Sequence, residues 1–581
     1  MLTPIQMRTK TKWKRTLVAS GLVAGLSSIL IVAGCASDTE GNAGSGKEGD
    51  ASHTEAASNQ QGASEESTKA RGSISVAIYD RGNIPADEGT IENNRWTRYM
   101  NENGPVDVKY VAIPRFDSIA KYNTLFASSS APDLIFEYDS NYRDQLYQQK
   151  QLLPIDDELL KTYAPDYYDY LEQYPLMRKI GTKEDGQLYE LGAVGTMLPN
   201  HVLFIRKDWL DALHLPIPQT TEELFQTAKA FAEQDPDGNG KDDTYGFSLS
   251  FVSGMMLDYM FGNVFTIYEK YPWYIQEDEL VHDWERSAAA VSYKKRIYDE
   301  GLVDKDFLTD TKGEKAKQDW VNGKLGIYGA NGGFNDVTMY EALMNVNPDA
   351  EIVPIALPES EFGQFSPALT TPIRKTAAIN ASAKDPGAVL EYVNFLIQPE
   401  TTTTLSFGIE GEHFERKENG CPIAINPEKR KQEMGYQGDM NMLNWRDVQN
   451  PECFGVTAYL NPDMSSLSEA AAGLAKLRVD GYALYVNKET PLPLYTMMDY
   501  MPSMPQDLQM LNTNALNAIQ DIWVKAIIGG TSYTVDQAVA DAKAAWDRAG
   551  GERVDDWYKQ WYQENKETAI LTEDIYSLTG N

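Results

Sequence analysis

"SISVAIYDRGNIPADEGTIENNRWTRYMNENGPVDVKYVAIPRFDSIAKYNTLFASSSAPDLIFEY", residues 73–138, is the stretch that decides the fold. Its first seven residues, 73–79, are apolar and β-branched, which predicts a strand. Residues 91–103 place Ile91, Arg95 or Trp96, and Tyr99 at helical spacing. Residues 105–114 give a second strand. Residues 115–128 give an amphipathic helix with Phe116, Ile119, Tyr122 and Phe126 turned inward, and residues 132–138 a third strand. Strand, helix, strand, helix, strand with short links predicts a parallel α/β sheet. Ligands of such sheets lie beyond the C-terminal ends of the strands. Here those ends are Tyr79-Asp80-Arg81, Pro114-Arg115 and Glu137-Tyr138.

Working outward, a second block opens at residues 201–218 and continues into a helix over 219–234. Thr220 and Glu223 have capping-box spacing, and Leu224, Phe225, Ala228, Phe231 and Ala232 share one face. Residues 245–251 are expected to be a strand. Residues 285–303 form a helix ended by Gly301, and 323–329 and 350–358 two more strands. Residues 385–397 form a helix with Pro386 in its first turn. The last third is mostly helical, as over 515–530 and 535–551, and no internal repeat is present. A chain of 581 residues exceeds one hydrophobic core, so two or more domains are expected.

The N-terminus is an address. Residues 8–15 are basic, residues 16–34 apolar and small, and Cys35 follows, the layout of a secretory signal over 1–34. Val32-Ala33-Gly34-Cys35 resembles a bacterial lipobox, which makes Cys35 the lipidated residue. Residues 36–71 hold no aromatic and no apolar residue but alanine, so a disordered tether is expected after Cys35. The chain is thereby placed on the extracellular face of a bacterial cytoplasmic membrane. Its formal net charge is −33, and the first 34 residues hold five cations and no acid, so the remainder stands at −38. Such a surface repels nucleic acid and anionic headgroups. Cys421 and Cys453 pair as a disulfide in an oxidising compartment or stand as two buried thiols.

Catalytic patterns are absent. The five histidines show no HExxH or paired spacing, and no GxSxG follows a strand. Acid pairs arise by chance in a chain with 85 acids, so an enzyme is not expected. A sugar offers hydroxyls and an apolar ring face, which suit polar side chains and planar aromatics outside amphipathic helices. Trp273, Tyr274 and Trp445 are read in loops, and Tyr79, Tyr138 and Tyr328 at strand ends. Asp80, Arg115, Glu137 and Asn331 are the polar candidates, while Trp209, Trp320, Trp523 and Trp546 read as helical core.

"DPDGNGKDDTYG", residues 235–246, puts Asp235, Asp237, Asn239, Lys241 and Asp243 at alternate positions around Gly240. Ca²⁺ takes oxygens in this register, with Lys241 at the position that offers its backbone carbonyl. The twelfth position is Gly246, so the bidentate glutamate of an EF-hand loop is missing. The alternative is a turn rich in Asp, Asn and Gly with no metal.

"FIRKDWLDALHLPIPQTTEEL" (204–224) followed by "DPDGNGKDDTYG" resembles the extracellular solute-binding proteins of carbohydrate ABC importers, in the branch of the alginate-oligosaccharide binders. Residues 122–136, 298–307, 322–328, 408–414 and 524–554 match in order. The resemblance implies a two-lobed α/β fold of periplasmic-binding-protein type II, with strands crossing at the hinge and a helical C-terminal region. Lobe 1 would hold about 72–200 and 368–440, lobe 2 about 201–367 and 441–581. It further implies a carbohydrate ligand, permease subunits as partners, membrane attachment through the N-terminal lipid, a monomer, and structural Ca²⁺. In that branch an acid follows the ninth loop position; here Thr244 stands there. A polysaccharide-active enzyme and a receptor for a non-sugar solute such as a peptide are the rival readings.

Overall fold

The computed structural model describes residues 71–578 apart from 267–269 and 465–466. The chain divides into residues 1–68 and 69–581, and all the described elements lie in the second unit. The signal, Cys35 and nearly all of the expected tether lie outside the described residues.

Four strands come first: β1 (Ser73–Asp80), β2 (Asp107–Pro114), β3 (Leu134–Phe136) and β4 (Glu190–Val194). Next are β5 (His201–Arg206), the hairpin β6 (Trp273–Gln276) and β7 (Glu279–His282), β8 (Ile327–Asn331) and β9 (Ile352–Pro354). The chain then returns to the first sheet with β10 (Ile373–Ile379).

The first sheet has the order β2-β1-β3-β10-β4. β1 runs parallel to β2 from Ser73↔Asp107 to Asp80↔Pro114, and parallel to β3 at Val76↔Leu134. β10 runs against β3 and β4, pairing Ala377 with Phe136 and Ile373 with Val194. One end of this sheet therefore collects Asp80, Pro114, Phe136 and Val194 with the start of β10. The expected parallel unit is present with an antiparallel strand inserted in it. The second sheet, β8-β5-β9, is antiparallel throughout, with His201 opposite Asn331 and Phe204 opposite Pro354.

Each sheet has its own buried core. The first joins Ile74, Val76, Ile78, Leu134, Ile135, Leu191 and Ile379 to the helix Pro386–Leu396 and continues to Trp445. The second joins Leu203, Ile205, Phe225, Phe231, Met256 and Ile297 to Leu516, Trp523 and Trp546 of the long C-terminal helices. Between the cores two segments lie side by side and antiparallel. Pro199 bridges to Leu369, Thr370 N donates to Leu198 O at 2.8 Å, and Asn200 N donates to Ala368 O at 2.9 Å. Their backbone groups satisfy one another, as buried peptide groups must.

Several local expectations are corrected. The helix predicted over 91–103 starts at Arg95, because Asn94 caps it and Thr97 completes a capping box. Residues 245–251 make only isolated bridges, Tyr245 to Leu325 and Phe247 to Val303, before the helix Phe251–Tyr259 begins. Phe116 and Ile119 face outward, because the helix starts at Ser118 and so leaves Phe116 in the preceding turn. Tyr122 is buried as predicted. The capping box of Thr220 and Glu223 is formed. Cys421 and Cys453 are joined in a disulfide. No helix among the described residues is long and apolar enough to cross a membrane.

Candidate functional site

The C-terminal end of the parallel strands carries a ledge of aromatic and charged groups. Tyr79, the penultimate residue of β1, is buried, and its ring lies parallel to that of Tyr138, 5.6 Å away and tilted by 5°. The Arg115 guanidinium stands 5.1 Å from the Tyr79 centroid and 4.6 Å from that of Tyr138. A cation over two ring faces holds both rings in place. Tyr138 is 42% exposed and Phe116 is 88% exposed, an unusual position for an aromatic ring of this size.

Asp439 braces the ledge from far along the chain. It accepts from Arg81 Nε at 2.6 Å and Nη2 at 3.1 Å, and from the Tyr138 hydroxyl at 2.9 Å. Burial, and then the charge of Asp439, push the Tyr138 hydroxyl up to about 12. Burial and the charge of Glu137 raise Tyr79 further still. Both phenols are neutral donors at physiological pH. Asp80 turns back to accept from Gly82 N at 2.8 Å, ordering the loop after β1. Glu137 is buried, with one oxygen accepting from Asp139 N at 2.9 Å.

β4 ends at this same end of the first sheet, and only residues 195–200 separate it from His201, where β5 begins. Such a link spans at most about 20 Å, so the ledge and the His201/Asn331 end of the second sheet adjoin the same crossing. Asn331 is exposed there, while His201 is buried against Tyr259 with ring centroids 6.1 Å apart. Burial pulls the His201 imidazole down to about 4, against a hydrogen bond that its ring donates to Asn331, which acts the other way. Two cavities open beside these edges. One of about 530 Å³ includes Tyr138, Arg374, Thr376 and Asn441 in its lining. One of about 210 Å³ includes Tyr328 and Asn331.

Of the predicted site residues, the structure brings together Tyr79, Asp80, Arg115, Glu137 and Tyr138 at one edge and leaves Asn331 exposed at another; Tyr328 is not at a strand end but second in β8, opposite Phe204, buried and stacked on Trp320 at 5.3 Å, and shares only the lining of the smaller cavity with Asn331. The remaining three are corrected. Trp273 and Tyr274 are not in a loop; they lie in β6 and are buried. Trp273 packs against Tyr558 at 4.2 Å, and its indole N–H donates to Asp555 at 2.8 Å. The hairpin turns on Glu277 and Asp278, both at positive φ, without the Gly that usually signals such a turn. Trp445 is completely buried in the first core, stacked on Tyr170 at 4.6 Å. None of the three offers a face to a ligand. Arg81 was named only as part of a strand end and Phe116 was read as inward-facing; Arg374, Thr376, Asp439 and Asn441 were missed, because only the fold brings them to the edge.

In the 235–246 loop, Asp235 accepts from Asn239 N at 3.1 Å and Gly240 N at 3.0 Å. The Asn239 amide donates to Asp237 at 2.7 Å and Asp243 at 3.1 Å. Asp237 is held above its ordinary range, by partial burial first and by the charges of Asp235 and Asp243 as well. The donor set is oxygen throughout and excess negative, which fits Ca²⁺. Thr244 does not join it: it is buried and its hydroxyl donates to Phe231 O at 2.7 Å, on the preceding helix. Among the described residues, one group of three acidic or histidine ligand atoms lies within 4.8 Å, and it is Glu412, His413 and Glu433 rather than this loop. That group is an ion-pair network, with Arg95 against Glu433 and the His413 ring 2.8 Å from the same carboxylate.

The bacterial extracellular solute-binding protein model matches residues 85–403, more than half of the chain. The chain belongs to this family. Among solved structures, an extracellular solute-binding protein from Bifidobacterium longum subsp. infantis superposes with a TM-score of 0.63 at 18% identity, over 87% of this chain and 98% of that one. The alginate-binding protein AlgQ2 gives 0.55 at 18% identity, over 84% and 98%. These show the fold, and this solute-binding protein is a two-lobed α/β protein of that kind. It is also similar to the polygalacturonan/rhamnogalacturonan-binding protein YtcQ of Bacillus subtilis, 34% identical over 172 residues, which are 28% of this chain and 33% of YtcQ. The fructooligosaccharide ABC transporter substrate-binding protein FusA of Streptococcus pneumoniae is 31% identical over 148 residues, 24% of this chain and 27% of FusA. The chain thus spans about a third or less of the length of the curated relatives it matches.

Proposed function

We propose that this solute-binding protein is the receptor of a carbohydrate ABC importer, which holds an oligosaccharide between its lobes and delivers it to permease subunits. It acts as a monomer, tethered by a lipid on Cys35 to the outer face of the cytoplasmic membrane, and performs no covalent chemistry. Lobe 1 comprises about 72–200 and 368–440, and lobe 2 about 201–367 and 441–581. Binding shifts the population of lobe arrangements toward the closed one, because contacts to both edges exist only there.

One observation carries the reading: at the strand ends, an exposed Phe116 and a half-exposed Tyr138 stand beside braced polar groups. An apolar face edged by fixed donors and acceptors suits a sugar ring. Relatives named for polygalacturonan, rhamnogalacturonan and fructooligosaccharide binding support it. Calorimetry of the purified chain against neutral and acidic oligosaccharides and a peptide set tests it. Saccharide binding at one site, without turnover, is expected. Binding of peptides alone, or release of saccharide products, would overturn it.

Ca²⁺ is proposed as a structural ion at Asp235, Asp237, Asn239 and Asp243, with the Lys241 carbonyl. Its charge would offset three neighbouring carboxylates. Solved neighbours include an alginate-binding protein described as without calcium ion and an EF-hand mutant of FusA, which support the reading.

A further inference from the structure

The cavity of about 530 Å³ beside the ledge is lined by four cations, Arg374, Arg430, Lys431 and Arg446, and by no Asp or Glu among the described residues. The chain around it carries 85 acids against 52 Lys and Arg, so four cations in an acid-free lining run against the charge of the whole. The cavity belongs to the ligand edge of the first sheet: Tyr138 lines it, and so do Ala193 near the end of β4 and Arg374 and Thr376 of β10.

The cations are poorly compensated. Arg374 is exposed, and neither it nor Lys431 has an ion-pair partner among the described residues. Arg430 is half-buried, donates to the Ser406 carbonyl at 3.0 Å and lies over the Phe407 ring at 5.1 Å. Burial, followed by the charge of Arg446, holds it below its ordinary range. Two carboxylates outside the lining are already engaged: Asp447 meets Arg446 Nε at 3.2 Å while its other oxygen accepts from Thr196 N and Oγ1, and Asp439 holds Arg81 and the Tyr138 hydroxyl. Gathering like charges in a partly desolvated pocket is unfavourable unless an anion completes it. Guanidinium groups suit planar, bidentate anions in particular. Asn441 adds a side-chain amide, buried and without a hydrogen-bond partner among the described residues, at the same wall.

We infer that this pocket receives the anionic group of an acidic saccharide, a sugar carboxylate or ester sulfate, with Arg374, Arg430, Lys431 and Arg446 as its charge partners. The inference rests on the proposal that the sheet edge is the carbohydrate site, and adds the charge of the ligand.

Calorimetry at low and at physiological salt tests it on the purified chain. The probes are matched trisaccharides: galacturonate and galactose, mannuronate and mannose, glucuronate and glucose, each with a sulfated counterpart. At least one acidic probe should bind 10-fold or more tighter than its neutral match, and added salt should narrow that margin. Preference for the carboxylated or the sulfated member identifies the anion. Arg374→Gln and Lys431→Gln, both at exposed positions, should shrink the acid-over-neutral ratio at least 5-fold while leaving the melting temperature in place. A neutral probe that binds as tightly as its acidic match, with no change in the variants, overturns the inference and leaves the carbohydrate receptor standing. Failure of every saccharide, acidic or neutral, overturns the receptor reading and the inference with it.

Discussion

Tyr138 and Trp445 are both aromatic residues next to polar loops in the sequence, and the fold assigns them opposite tasks. Tyr138 keeps 42% of its surface in solvent, whereas Trp445 has none and is ringed by Tyr167, Tyr170 and Tyr174. Trp445→Ala should therefore cost about 3–5 kcal/mol of stability, as emptied core sites do, measured by urea denaturation. Tyr138→Ala should leave stability nearly unchanged and weaken saccharide binding about tenfold, ~1.4 kcal/mol, measured by calorimetry. His201 supplies a pH dependence. Its folded pKa of about 4 lies below the ordinary value of 6.5, so between these values the unfolded chain binds the extra proton. Stability then falls as pH drops from about 6.5 to about 4, by up to ~3 kcal/mol from this residue. His201→Gln should flatten that part of a stability-against-pH curve; an unchanged slope would show that His201 protonates without cost in the folded protein.

At the scale of the element, the acidic loop was legible as a motif but not as a geometry. Alternating oxygen ligands are a local pattern, visible in any listing of the residues. That Thr244 turns back to Phe231 O depends on the helix Thr221–Glu233 beside it. If Ca²⁺ sits in this loop, a hundredfold excess over Kd stabilises the folded chain by about 2.7 kcal/mol. A chelator should lower the melting temperature accordingly, and Asp237→Ala should abolish the difference. Equal melting with and without chelator would remove the ion from the account. The Cys421–Cys453 disulfide closes a separation of 32 residues between the hairpin β11 (Phe414–Arg416)/β12 (Pro422–Ala424) and the short helix Pro451–Phe454. Cross-linking a loop of this length stabilises by about 4 kcal/mol in the chain-entropy account. A Cys421→Ser, Cys453→Ser double variant should lose that amount in denaturant titration, and reductant should then have no further effect. The hairpin β6/β7 escaped a reading from sequence because its turn is Glu277-Asp278, both at positive φ, while Trp273 anchors the opposite, open end against Tyr558.

For the whole molecule, the proposed closure of the lobes on a saccharide predicts a change of overall size. Small-angle scattering should show the radius of gyration decrease on adding a saccharide that binds, and no change with one that does not. A ligand bound with the radius unaltered would argue for a single-lobe site. The sequence by itself determined the α/β class, the alternation in residues 73–138, the capping box of Thr220 and Glu223, and the pattern of the acidic loop. Each of these is written in neighbours a few residues apart, where periodicity, capping and turn chemistry act. It also placed Tyr79, Arg115, Glu137 and Tyr138 at the C-terminal strand ends, since strand ends can be read from where an apolar run stops. Only the tertiary structure decided that Asp439 braces Tyr138, that Trp273 and Trp445 are core, that Phe116 faces outward, and that Arg374, Arg430, Lys431 and Arg446 share one wall. Burial and charge clustering depend on which distant segments meet, and residues 81 and 439 are brought together by the return of the chain through β10, not by any local pattern.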